Sequence, residues 1–221
     1  MPTKPPTLWA EVWALLDKEL RTEIRQPYTL YGLLLYAGAT VFTAGLASRD
    51  QLGPGAWAVL FWLILLFVAI TAIAKSFLGE RTGQLLYLYS LARAEAVVLA
   101  KTLYNAALLM GLGLFTALIY AAFLGLPLAA GPFVLGVLAG CLALASVLTL
   151  VSAVAAAAGN KPALMAVLSL PLLLPQLLAL LRFSQGLLLD VVRWRELTVL
   201  VALAGIGWVL SLLLFPYLWR E

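Results

Sequence analysis

The stretch TLYNAALLMGLGLFTALIYAAFLGLPLAAGPFVLGVLAGCLALASVLTLVSAVAAAA, Thr102–Ala158, contains no Asp, Glu, Lys or Arg. A membrane-crossing helix needs about 20 apolar residues, so this run is too long for one span. Near its middle, GLPLAAGP (Gly125–Pro132) gathers two Gly and two Pro, which favours a turn. Division there gives spans at Thr102–Leu124 and Phe133–Ala158. Four more uncharged runs lie outside it, at Tyr28–Ala47, Ala56–Ala74, Ala163–Leu181 and Leu197–Trp219. The fold class that follows is all-α and integral to a membrane, a single transmembrane domain over residues 1–221 with six helical spans.

Composition agrees. The 221 residues are 64% hydrophobic and 11% charged, against roughly 25% charged in soluble domains. The alternation of lipid-facing strands is absent, so helices must satisfy the backbone inside the bilayer. An even number of spans puts both termini on one side. If that side is the cytoplasm, Lys4, Lys18, Arg21, Arg25, Lys75, Arg81, Arg93, Lys101, Lys161 and Arg220 lie inside, and only Arg49, Arg182, Arg193 and Arg195 lie outside. That bias predicts cytoplasmic N and C termini. It also accounts for the net charge of +4 without a nucleic-acid partner. No cleavable signal peptide is expected, because the first apolar run starts near residue 28 and lacks the short core and cleavage site. Cys141 is the single cysteine, so no internal disulfide can form.

Residues 7–26 read as an amphipathic helix lying at the interface with membrane lipid. Thr7 is its N-cap, and Leu8, Val12, Leu15, Leu16, Leu20 and Ile24 recur at helical spacing. Asp17 and Arg21 form an i,i+4 pair, and Pro27 limits the helix. In the fifth span Pro171 and Pro175 share one face, which marks a kink or a moving gate. Asn105 and Gln176 are polar residues within spans, expected to bond to neighbouring helices. Gly136 and Gly140 form a GxxxG, followed by Ser146, Thr149 and Ser152; such small residues permit close helix contact, within the chain or in a dimer. Between the last two spans, Arg182–Glu196 reads as a helical outer loop that either lies flat on the outer leaflet or dips into it.

Several chemistries are absent from the sequence. The chain has no His, and no span interior holds a charge, although proton relays and voltage sensors depend on such groups. There is no phosphate-cradling G-x-x-x-x-G-K-[ST] and no metal-ligand cluster. The chain therefore reads as non-catalytic, with any energy supplied by another polypeptide. Its densest polar stretch, KSFLGERTGQLLYLYSLARAEAVVLAK (Lys75–Lys101), is cytoplasmic in this topology. Leu85, Leu86, Leu88, Tyr89 and Leu91 are flanked there by Glu80, Arg81, Arg93 and Glu95. Apolar anchors with a charged rim suit a helix docked between the spans and a soluble protein.

This layout resembles the type 2 ABC exporter permease, with an interfacial helix, six spans, a cytoplasmic coupling helix between spans two and three, and a helical outer loop. More closely it resembles CcmB, the haem exporter permease family of cytochrome c maturation. The likeness rests on KEL (Lys18–Leu20), FLGERTGQLLYLYSL (Phe77–Leu91), AVVLAK (Ala96–Lys101) and SLPLLLP (Ser169–Pro175). LARAEA (Leu91–Ala96) departs from the family's proteobacterial pattern, which is Pro-rich there. The resemblance implies a bacterial inner-membrane protein that works with a cytoplasmic ABC ATPase, a separate haem-handling membrane protein (CcmC) and a periplasmic haem chaperone. ATP would sit on the partner, haem would be handled by the complex, and this chain would bind no cofactor or metal of its own. A second copy of the chain or a different membrane protein would complete the pair. The match makes Phe77, Glu80, Arg81, Gly83 and Leu85 the candidate ATPase-docking elbow. Two rival readings are a type 2 permease for another cargo (lipid-linked, glycan or drug-like) and a membrane scaffold with no transport role.

Overall fold

In a computed structural model of the chain, residues 7–25, 27–48, 52–78, 93–125, 130–158 and 162–218 are described. They form seven helices and no strand: α1 Leu8–Arg25, α2 Tyr28–Ser48, α3 Pro54–Leu78, α4 Ala94–Leu124, α5 Ala130–Ala157, α6 Pro162–Leu188 and α7 Trp194–Leu218. The last six are each long and apolar enough to cross a bilayer.

The helix ends follow local chemistry. Thr7 occupies the N-cap position of α1, its carbonyl accepting from the Glu11 N–H at 3.1 Å. Pro54 and Pro162 open α3 and α6, where their missing N–H would have had no helical partner. The helical break expected in GLPLAAGP is present, with α4 ending at Leu124 and α5 starting at Ala130. Gly125, at φ +76°, ends α4 and bonds back to the Ala121 carbonyl, a conformation that favours glycine. Pro132 already lies in the first turn of α5, which tolerates it.

Several boundaries differ from the sequence reading, and α3 runs on to Leu78 rather than ending at Ala74. α4 starts at Ala94 rather than Thr102, so the coupling segment expected over 75–101 gives up its last turns to a transmembrane helix. α6 continues to Leu188, so Arg182–Leu188 extends a span and the outer connection shrinks to residues 189–193. Neither a flat nor a re-entrant outer helix forms between those residues. The N–H groups of Asp190 and Val191 instead return to the carbonyls of Leu187 and Gly186, at 3.2 and 2.8 Å, with Asp190 at φ +57°. This paired return closes a helix with one left-handed residue. A Cβ on Gly186 would stand 2.6 Å from the Val191 carbonyl oxygen, so the turn also requires that glycine.

α5 is the centre of the bundle, packed against α3, α4, α6 and α7, while α2 touches only α3 and α4 to any extent. The GxxxG of α5 is used within the chain. A Cβ on Gly136 would collide with the Phe183 ring of α6, and one on Gly140 would stand 2.6 Å from Trp62 of α3 and 2.7 Å from Leu180 of α6. Ser146 likewise faces Gly207 of α7. Span hydroxyls such as Thr40, Thr71, Thr116 and Ser211 donate to the carbonyl four residues back, which satisfies them without leaving the helix.

Candidate functional site

α1 and the first turns of α4 are joined by side chains from two different rows. On α1, Glu11, Glu19 and Glu23 stand on one row of fourfold spacing; on α4, Arg93, Lys101 and Tyr104 face them. The Arg93 guanidinium lies 3.7 Å from Glu11, and the Arg93 backbone N–H donates to the same carboxylate at 3.2 Å. Arg93 is the N-cap residue of α4 and makes no side-chain cap of its own. Glu11 thus brings a negative charge from another helix to the positive end of α4, where the macrodipole favours it.

Eight residues along each helix, Lys101 reaches Glu19 at 3.5 Å, and Lys18 reaches the same carboxylate oxygen at 3.2 Å. Lys101 is only 1% exposed. Burying an ammonium costs several kcal/mol unless an opposite charge meets it, and Glu19 is that charge. One turn further, the Tyr104 hydroxyl donates to Glu23 at 3.1 Å. Between the polar pairs, Val12 is buried against Ala96 and Ala100, whose small side chains let the helices approach. The expected Asp17–Arg21 pair also forms, at 2.7 Å on the exposed side of α1.

The pairs 11–93, 19–101 and 23–104 advance together, so α1 runs beside α4 in the same sense. Helix lengths show which part of α4 this is. α2 spans about 31 Å, the thickness of a hydrocarbon core, between Arg25 and Arg49 in sequence. Leu30 and Tyr31 near its start share a cavity wall with Tyr104, Ala107 and Leu108, and Gly45 near its end sits against Phe123. α4, at about 46 Å, therefore overhangs α2 by about 15 Å, roughly Ala94–Leu103, and α1 is packed on that overhang. Val97 and Val98 on the overhang also meet Ala153 of α5 and Phe215 of α7.

Of the residues singled out from sequence, Glu80, Arg81, Gly83 and Leu85 lie outside the described residues, as does the side chain of Phe77, whose backbone belongs to the end of α3. Pro171 and Pro175 lie within α6 on its exposed side. Asn105 bonds across helices as expected, its Nδ2 donating to Thr149 Oγ1 of α5 at 3.0 Å. Gln176 is buried, and its Oε1 has no hydrogen-bond partner among the described residues. Sequence reasoning does not single out Glu11, Glu19, Glu23 or Tyr104 as site residues. A signal for them is present, because KEL contributes Glu19 and AVVLAK contributes Lys101, and the two motifs meet in one ion pair.

The profile of the CcmB protein family matches residues 10–218, from α1 through the last turn of α7. The chain belongs to the CcmB family. Membership makes it a multi-pass inner-membrane permease component of the haem-exporter ABC system of cytochrome c maturation. No curated protein and no solved structure matched the chain. The CcmB match begins inside α1, so the helix bolted to α4 is part of the family's own pattern.

Proposed function

We propose that this CcmB-family protein is a non-catalytic lever in an ATP-driven complex. A separate cytoplasmic ATPase docks on the end of α3 and the segment that joins it to α4, through Phe77, Glu80, Arg81, Gly83 and Leu85, and its closure displaces the start of α4. The observation that carries this reading is the stapling of α1 to the α4 overhang by Glu11–Arg93 and Glu19–Lys101. Two helices joined by a buried ion pair and close apolar contact move as one body, so a push beside Arg93 is passed along α4 into the packed centre at α5. Both termini lie in the cytoplasm, with the docking segment. The output is a changed outer surface that supports haem export or frees the loaded periplasmic haem chaperone, together with the haem-handling membrane protein. Haem is cargo of the complex rather than a group held by this chain, and Pro171 and Pro175 are the points at which α6 yields during the motion.

Purification from mild detergent with identification of the bound proteins tests the partnership, and recovery of an ABC ATPase is the expected result. Combined Glu80→Ala, Arg81→Ala and Leu85→Ala substitution should leave the chain in the membrane and abolish ATPase retention. Unchanged ATPase coupling in that variant refutes the docking site. Deletion should remove c-type cytochromes; normal cytochromes with loss of another export trait would favour a different cargo. Labelling of single cysteines within residues 79–92 from outside intact cells would refute the orientation.

A further inference from the structure

Where α1, α4 and the start of α2 meet, the bundle leaves an open apolar groove with two arms. One arm, of about 580 Å³, is walled on α1 by Trp9, Trp13 and Leu16; the other, of about 480 Å³, runs between Ile24 and Tyr31. Leu20, Tyr104 and Ala107 line both, so the arms form one channel. We propose that this groove docks one basic amphipathic helix of a partner protein, its apolar residues in the channel and its Lys or Arg side chains at the rim.

Three observations favour that occupant. The first is spacing. Trp9, Trp13, Leu16 and Leu20 recur at intervals of four, three and four, the repeat that seats one helix against another, and Ile24 prolongs the stripe. Glu11, Val12 and Glu19 hold α4 from a different side of α1, so Trp9, Trp13, Leu20 and Ile24 stay 55–69% exposed. Anchors at such intervals along a groove suit a docked helix. The second is height. The contacts 11–93 and 19–101 set Trp13 level with Glu95 and Trp9 one turn further out. The overhang meets the hydrocarbon edge at Leu103, so Trp13 stands about 12 Å beyond that edge and Trp9 about 18 Å. A headgroup layer is about 5–8 Å deep, so lipid does not cover them, and an exposed apolar patch in water marks a protein contact. The third is charge. Asp17 and Glu23 line the channel and no Lys or Arg does. Asp17 is 56% exposed even while paired with Arg21, which leaves it open to a second cation. The faces of Trp9 and Trp13 attract cations as well. The proposal does not depend on the ATPase reading and is tested without that partner.

The probes are two fluorescently labelled peptides of about 18 residues, five turns of helix, with the same Leu seam, one flanked by Lys and the other by Glu. Each is titrated into the full chain in phosphatidylcholine nanodiscs, with anisotropy as readout and empty nanodiscs as the blank. The Lys peptide should saturate near one per chain and bind about tenfold more tightly than the Glu peptide, the effect of two carboxylates at the rim. Trp13→Ala should weaken the Lys peptide about 30-fold, as loss of a central aromatic anchor does. Asp17→Lys should weaken the Lys peptide about fivefold and strengthen the Glu peptide by a similar factor, a gain that misfolding cannot produce. Equal binding of the two peptides, or unchanged binding in Trp13→Ala, overturns the site. Binding no greater than to empty nanodiscs overturns it too. If the chain is then a dimer that Trp13→Ala makes monomeric, the groove belongs to a second copy instead.

Discussion

At the end of the bundle away from α1, five aromatic residues form the core: Trp57, Phe61, Trp62, Tyr120 and Phe133 lie with ring centroids 4.9–6.0 Å apart, mostly edge to face. Their polar atoms bond inward. Tyr120 donates to the Trp57 carbonyl at 2.9 Å, Trp57 to the Leu124 carbonyl at 3.3 Å, and Trp62 to Ser184 at 2.8 Å. At the α1 end the contacts are Glu11–Arg93, Glu19–Lys101 and Glu23–Tyr104 around a thin apolar seam of Val12 and two alanines. Aromatic packing of this kind adds about 0.5–1.5 kcal/mol per pair beyond area burial and depends on close fit at every ring. The ionic end depends on a few charge pairs, and loss of one acidic partner leaves a buried charge less well compensated. The contrast suits a lever, with a stiff fulcrum at one end and a joint made of discrete contacts at the other.

The comparison can be broken at the joint first. Glu19→Ala should destabilise the attachment of α1 by about 3 kcal/mol, because Lys101 loses a buried counter-charge. Tryptic cleavage at Arg21 and Arg25 would accelerate, and adding Lys101→Met should restore protection. Unchanged cleavage in Glu19→Ala would show that the pair does not hold the helix. At the fulcrum, Gly140→Leu should cost roughly 2–3 kcal/mol by overpacking, since Trp62 and Leu180 leave no room for the side chain. A lowered thermal midpoint in detergent with α1 still protected would place the damage at that end alone. Trp62→Phe keeps the ring packing and strands the Ser184 hydroxyl, a loss of about 1 kcal/mol, measurable by the same melt. The smallest effect is expected for Glu11→Gln, about 0.5 kcal/mol from weakened interaction with the α4 dipole; it should shrink as salt rises, whereas the Trp62 effect should not.

Much of the architecture is legible in the sequence because bilayer thickness sets a length that apolar runs must meet. All six spans can be placed that way, and the break at Gly125 follows from its own residue types. The start of α4 is misread for an instructive reason. Arg93, Glu95 and Lys101 look like loop residues when charge is counted along the chain, yet a helix can carry them where it overhangs the membrane and α1 supplies acidic partners. The end of α6 is misread in the same way, with Arg182 taken as the edge of a loop while the helix runs on to Leu188. The GxxxG announces close contact without naming the partner, which proves to be Phe183, Trp62 and Leu180 of the same chain.

Taken alone, the order of residues determined the number of spans, the amphipathic first helix and the family resemblance. These depend on hydrophobic length, periodicity and residue type, which are local properties. Only the tertiary structure decided that KEL meets AVVLAK, that Lys101 is buried on Glu19, and that α1 rides on the overhang of α4. Those outcomes depend on which surfaces meet after folding, and a buried charge selects its partner by distance in space rather than by separation along the chain.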